Sequence, residues 1–119
     1  MSFLRRSGTS GAGVARGDPA AVSAALRKAG ADPSVPHVTR HFMYVPGVKA
    51  AQQVARSVRG DGRSVDVETS ARWGFWLVVV SQSMVVTSDN LSSVRTEFET
   101  AVRSVGGAYD RWLVDIAAG

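Results

Sequence analysis

Two histidines, His37 and His41, are the side chains of this sequence best suited to metal binding or proton transfer. They lie four residues apart in a stretch of β-branched and aromatic residues, which is typical of a strand. In a strand this spacing separates the two rings by roughly 13 Å, too far for them to share a metal ion. The chain contains no cysteine, and no acidic cluster lies near either histidine. We therefore expect no metal site, and a packed or hydrogen-bonded role for His41.

Other patterns that would indicate catalysis are also missing from the sequence. The glycine-rich stretch 8–13 resembles a phosphate-binding loop only in composition, because no strand precedes it and no Gly-Lys-Ser/Thr follows it. Serine, histidine and aspartate all occur, but no Gly-x-Ser-x-Gly motif places them together. The sequence therefore predicts a protein that is not an enzyme, has no cofactor, and works by binding another macromolecule.

The chain is basic, with a formal net charge of +4. Its lysines and arginines are spread along the sequence, so they favour long-range attraction to polyanions without conferring specificity, and RNA is one candidate partner. The longest apolar block, 75–80, is far shorter than the roughly 20 residues of a membrane-spanning helix. No apolar run follows the basic start, as a secretory signal would require. We expect a cytoplasmic protein that does not bind a membrane.

The periodicity of apolar residues predicts one domain over 18–119, after a disordered leader over 1–17 that is rich in glycine and serine. The domain begins with a short helix over 18–29, with Asp18 as its cap and Pro19 in its first turn. Further helices are predicted within 48–59 and 89–105. Strands are predicted at 38–45, 64–69, 75–80 with an extension towards 86, and 109–116.

After the short N-terminal helix, the order β-α-β-β-α-β predicts an α+β domain of the ferredoxin-like plan. Right-handed crossovers then place both helices on one face of a four-stranded antiparallel sheet, with the first and third strands in the middle. The other face of the sheet stays open. Because side chains alternate along a strand, either His41, Met43 and Val45 or Phe42 and Tyr44 meet the helices, and the other set lies on the open face.

Aromatic and basic side chains on the two predicted central strands are candidates for partner binding. They are Arg40, Phe42 and Tyr44 on the first of these strands, with Trp76 or its neighbour Phe75 on the other. On an open face their rings would form a stacking platform for RNA bases, with arginines for the phosphates. The alternatives are that these rings pack beneath the helix over 18–29, form a homodimer interface, or bind a protein partner.

The last predicted strand adds Tyr109, Arg111 and Trp112 to the candidate binding residues. By strict alternation Tyr109 and Trp112 lie on opposite faces of the strand. One of the two then anchors the core, and the other is available to a partner.

Four stretches of the sequence resemble the RraB family of ribonuclease E regulators. They are 26–33 (Leu-Arg-Lys-Ala-Gly-Ala-Asp-Pro), His41-Phe42, 60–65 (Gly-Asp-Gly-Arg-Ser-Val) and 107–112 (Gly-Ala-Tyr-Asp-Arg-Trp). The resemblance covers roughly residues 20–116. It implies a ferredoxin-like fold and a non-catalytic protein that binds ribonuclease E and alters which transcripts it degrades. The chain is basic, whereas well-known members of the family are strongly acidic.

Overall fold

A computed structural model of the protein describes residues 13–15, 19–60, 62–69 and 74–116. Within these ranges the chain forms five strands and three α-helices. The strands are β1 (Gly13–Ala15), β2 (Pro36–Val45), β3 (Arg63–Thr69), β4 (Trp76–Val85) and β5 (Ala108–Ile116). The helices are α1 (Val22–Lys28), which follows a 3-10 turn over Pro19–Ala21, then α2 (Val48–Val58) and α3 (Ser88–Arg103).

The five strands form one antiparallel sheet in the order β1-β5-β2-β4-β3. Strands β2 and β4, the first and third of the four predicted strands, lie side by side in its middle. Ten consecutive residues of β2 pair with ten of β4, from Pro36 opposite Val85 to Val45 opposite Trp76. The predicted α+β fold with the ferredoxin-like order of strands is confirmed.

The burial of alternate side chains along β2 shows which face of the sheet meets the helices. His37, Thr39, His41, Met43 and Val45 are buried, whereas Phe42 and Tyr44 are only half-buried. Met43 and Val45 pack in a core cluster with residues of α2 and α3. The set that contains His41 therefore lies on the helix face of the sheet, and Phe42 and Tyr44 lie on the open face.

Helix α1 lies on the same face of the sheet as α2 and α3. Its buried residues Val22 and Leu26 form a second core cluster with Leu91, Trp112 and Val114. Trp112 pairs in register with His41, which identifies this cluster as part of the helix face. The alternative that Phe42 and Tyr44 pack beneath this helix is therefore wrong.

The N-terminal part of the domain differs from the prediction in two respects. Strand β1, within the segment predicted to be a disordered leader, pairs with the end of β5. The remainder of that segment and the predicted helix cap Asp18 lie outside the described residues. Helix α1 begins at Val22 rather than near residue 18, because the preceding turn is a 3-10 turn. Pairing between residues a hundred positions apart leaves no local pattern that would predict β1.

Gly107 allows the chain to pass close to β2 as it enters β5. A Cβ atom at this position would overlap the carbonyl oxygen of Tyr44 and lie 2.7 Å from Cγ2 of Val102. The Gly107 N–H donates a hydrogen bond of 2.9 Å to the Val102 carbonyl. Glycine is therefore required here by the lack of space for a side chain.

None of the helices in the described ranges combines the length and the apolar character needed to cross a bilayer.

Candidate protein-binding surface

The open face of the sheet is formed by alternate residues of four strands. Strands β2 and β4 supply its centre, with β5 on one side and β3 on the other. The residues of these four strands on the open face include Pro36, Val38, Arg40, Phe42, Tyr44, Ser64, Asp66, Glu68, Leu77, Val79, Ser81, Ser83, Val85, Ala108, Arg111, Leu113 and Asp115.

An apolar strip of four residues lies at the centre of the open face. It consists of Phe42 and Tyr44 on β2 and their register partners Val79 and Leu77 on β4. Side chains directly opposite one another on neighbouring antiparallel strands are about 5 Å apart, close enough for these pairs to touch. All four are at least half-buried, so the strip is a packed surface rather than a set of isolated side chains.

Two arginines border this apolar strip, and both are already engaged. The Arg111 guanidinium lies over the Phe42 ring, with its central carbon 4.3 Å from the ring centroid. Arg111 also forms an ion pair with Asp110, and Arg40 forms one with Asp115. The side chains of both pairs remain partly exposed. A partner approaching this face therefore meets an apolar centre with paired charges beside it.

A β-bulge in β5 places Tyr109 and Trp112 on the same face of the sheet. Arg111 pairs with Phe42, but Tyr109 pairs with the next residue, Met43, so Asp110 is an additional residue in the strand. A bulge of one residue reverses the alternation of side chains beyond it. The expectation that Tyr109 and Trp112 lie on opposite faces is therefore wrong: both point towards the helices.

Tyr109 and Trp112 are structural residues. Trp112 is 3% exposed and belongs to the core cluster of α1. The Tyr109 ring packs against both core clusters, with the Arg95 guanidinium carbon 5.6 Å from its centroid. Because neither ring is available on the open face, we exclude both from the candidate binding surface.

Trp76 also lies on the helix face. It pairs with Val45 on β2, whose side chain is buried, and it packs against the core cluster of α2 and α3. Trp76 therefore does not contribute to the predicted aromatic platform. Of the predicted binding residues, the structure brings together four on the open face: Arg40, Phe42, Tyr44 and Arg111. Their neighbours Leu77 and Val79 were not predicted from the sequence as binding residues. The alternate positions of these two residues in the apolar block 75–80 would have indicated that they share one face of the strand.

His41, on β2, points into the core between the sheet and the helices. Its Nδ1 atom is 2.8 Å from the Tyr109 hydroxyl, and its ring packs edge-on against Phe98 at a centroid distance of 4.8 Å. No hydrogen-bond partner is present for its buried Nε2 among the described residues. Burial, together with the positive charge of Arg63, lowers the pKa of His41 to about 4. The imidazole is therefore neutral at neutral pH.

Arg63 and Glu97 form a bidentate ion pair beside His41. Arg63 donates to both Glu97 carboxylate oxygens, at 2.7 and 2.9 Å, and to the Gln82 side-chain oxygen at 2.6 Å. It also donates a hydrogen bond of 2.8 Å to the Val58 carbonyl. The hydrogen bonds from Arg63 lower the pKa of Glu97. This cluster joins β3, β4, α2 and α3, and no sequence pattern indicated it.

The described side chains include no group of three or more histidines, aspartates and glutamates placed to hold a metal ion. The second histidine of the sequence, His37, is buried on the helix face. Its Nε2 atom is 2.9 Å from the carbonyl oxygen of Asp32, which satisfies that ring nitrogen within the fold.

Comparison with known proteins identifies the family. A family model described as RraB, regulator of ribonuclease activity B, matches residues 18–114. Searches among curated proteins and among solved structures each found no match. The matched range covers all the described elements except β1 and the last residues of β5. The chain therefore belongs to the RraB family, whose members are regulators of ribonuclease activity.

Proposed function

We propose that this protein is a non-catalytic, cytoplasmic regulator that binds ribonuclease E through the open face of its sheet. The observation that carries the proposal is the apolar strip of Phe42, Tyr44, Leu77 and Val79, which the described helices leave uncovered. An apolar centre with aromatic and arginine side chains, surrounded by polar residues, is typical of a protein interface. Membership of the RraB family supports a ribonuclease as the partner.

The contacts on the open face favour a protein partner over RNA. A base stacking on Phe42 would have to displace the Arg111 guanidinium that already lies 4.3 Å from the ring. Arg40 and Arg111 are each paired with a carboxylate, which reduces their attraction to phosphate. Asp66 and Glu68 lie on the same face and repel a polyanion. The direct RNA-binding alternative is therefore the weaker of the two.

The position of His41 supports a non-catalytic role. Its side chain is fully buried and is neutral at neutral pH. A general acid or base must come within hydrogen-bonding distance of the proton it transfers. His41 is enclosed by Phe98 and Tyr109, so a substrate on the open face cannot reach it.

The test is calorimetric titration of the purified full chain with purified ribonuclease E. We expect Tyr44→Ala to weaken binding by about tenfold, or about 1.4 kcal/mol, because tyrosines near the centre of an interface are enriched among the residues whose truncation costs most. Arg111→Glu should weaken binding as well. The matched control is Arg56→Glu, which reverses the charge of an exposed arginine on α2, away from the open face. Equal affinities of the Tyr44 variant and the parent would refute the proposed surface.

Two further measurements separate this proposal from the alternatives. The complex is treated with a nuclease that destroys RNA, and binding should persist; a complex that dissociates would show that RNA is the real ligand. Sedimentation of the chain alone tests the homodimer alternative. A dimer that is disrupted by Tyr44→Ala would show that the open face binds a second copy rather than the nuclease.

A further inference from the structure

The outer edge of strand β3 has no partner among the described residues. Strand β3 pairs with β4 on one side and ends the sheet on the other. All seven of its residues pair with β4 in a continuous register. An edge strand of this kind presents a row of unpaired backbone N–H and C=O groups. Proteins usually block such edges with lysine, proline, a bulge, a very short strand or an inward-pointing charge. Strand β3 has no lysine, proline or bulge, and its inward-pointing charge, Arg63, lies at its first residue, so the edge from Ser64 onwards lacks these features.

The opposite edge of the sheet is protected. Strand β1 contains only three residues and covers the end of β5, and the bulge at Asp110 disrupts the regular edge of β5 beyond it. A bulge increases the local twist of a strand and hinders pairing with another chain. Of the two described edges, only β3 therefore offers a long, regular backbone.

The side chains of β3 determine which kind of strand would pair with it. Asp66 and Glu68 are exposed on the open face, and neither forms an ion pair with a described residue. Val67 points to the helix face but remains 38% exposed, whereas Val65 packs against the core. A complementary strand would carry basic residues at two alternate positions, to meet the carboxylates, and an apolar residue between them, to cover Val67.

A second copy of this chain is a poor occupant of the edge. In an antiparallel β3–β3 pair centred on Val67, Asp66 lies opposite Glu68 of the other copy. In a pair centred on Asp66, the two Asp66 side chains lie opposite one another. Like charges directly opposite each other destabilise a sheet, so both registers that would cover Val67 with a valine are disfavoured.

We propose that the outer edge of β3 is a strand-addition site for an extended, basic segment of a protein partner. The backbone of the segment supplies the hydrogen bonds, and its alternating basic and apolar side chains supply the specificity. The site is separate from the apolar strip at the centre of the open face. Binding of a strand at this edge therefore does not depend on whether the open face binds ribonuclease E.

The probe is the synthetic peptide Thr-Val-Lys-Val-Lys-Val-Thr, titrated into the full chain. Amide hydrogen exchange of the chain is measured with and without peptide, and we expect slower exchange confined to β3. A peptide in which glutamates replace both lysines, and one with N-methyl groups along one edge of its backbone, should bind more weakly. The double variant Asp66→Asn/Glu68→Gln should lose about fivefold in affinity for the lysine peptide, since two exposed ion pairs are removed. The matched control is Asp89→Asn, which removes an exposed carboxylate at the start of α3.

Several results would overturn the proposal. One is unchanged exchange of the β3 amides at saturating peptide. Others are equal affinities for the lysine and glutamate peptides, or for the N-methylated and unmethylated peptides. Concentration-dependent protection of β3 amides in the chain without peptide would show that a second copy occupies the edge instead. Because the readout is local to β3, failure here is distinguishable from failure of Tyr44→Ala to weaken ribonuclease E binding.

Discussion

Protonation of His41 should make the stability of this protein depend on pH between about 6.5 and 4, a window that begins above the range where carboxylates titrate. The pKa of His41 is about 4 in the folded protein, compared with about 6.5 in an unfolded chain. Between these values the unfolded chain takes up a proton that the folded protein does not. The free energy of unfolding therefore falls as the pH is lowered from 6.5 towards 4.

The magnitude follows from the difference of about 2.5 between the two pKa values. At 1.36 kcal/mol per pH unit, the complete loss is about 3 kcal/mol, of which about 2 kcal/mol is lost between pH 7 and pH 5. Glu97 affects the free energy of unfolding in a lower pH range than His41 does. Its pKa is lowered from 4.5 by Arg63, so its stabilising contribution is present above that value and is lost only as the pH falls through the lower, folded pKa.

The assay is urea unfolding followed by tryptophan fluorescence at pH 7, 6 and 5, for the parent chain and for His41→Gln. The parent should lose about 2 kcal/mol more than the variant across this range, and the difference between the two isolates the contribution of residue 41. An NMR titration of the imidazole gives the pKa directly. Parallel pH profiles of the two proteins, or a His41 resonance that titrates near pH 6.5, would refute the reasoning.

Three substitutions test the packing of the fold, each by its effect on the free energy of unfolding. Gly107→Ala should cost about 1 to 3 kcal/mol, because the Cβ atom of the alanine would overlap the Tyr44 carbonyl oxygen. Gly60→Ala is the control and should cost less, because its Cβ atom would lie 3.8 Å from the Arg63 side chain, an ordinary contact distance. Trp112→Ala should cost about 3 to 5 kcal/mol, and an unchanged melting temperature would contradict its burial. Thr87→Ala should cost about 1 kcal/mol, since its hydroxyl accepts a hydrogen bond of 3.0 Å from the Asn90 N–H at the start of α3; a Thr87→Ser variant should retain most of the stability.

Three of the residues that carried the family resemblance, His41, Tyr109 and Trp112, lie together on the helix face of the sheet. His41 and Tyr109 form a hydrogen bond, and Trp112 lies opposite His41 in the register of β2 and β5. Their spacing was sufficient to indicate the family, but it could not show that Tyr109 and Trp112 lie on the same face of the sheet. The bulge at Asp110 is defined by the pairing of β5 with β2, which the sequence does not show. Strict alternation along β5 therefore placed either Tyr109 or Trp112 on the wrong face.

The candidate binding surface could be predicted only in part for a similar reason. Phe42 and Tyr44 follow from the alternation of β2, but alternation does not say which of its two sets the helices cover. The packing of Met43 and Val45 against α2 and α3 decided that question, and the pairing of β2 with β4 placed Leu77 and Val79 beside the two rings. The sequence left open whether Phe75 or Trp76 lies on the open face, because the register of Trp76 with Val45 is not visible in the sequence.

The sequence by itself determined the order of the helices and strands, the ferredoxin-like arrangement of the four main strands, and the RraB family. These depend on hydrophobic periodicity, turn residues and short motifs, which are properties of neighbouring residues. Only the tertiary structure decided which face is open, where β1 pairs, and that Arg63 and Glu97 meet across 34 positions of the chain. These features depend on contacts between distant residues, and such contacts are chosen by the packing of the whole domain.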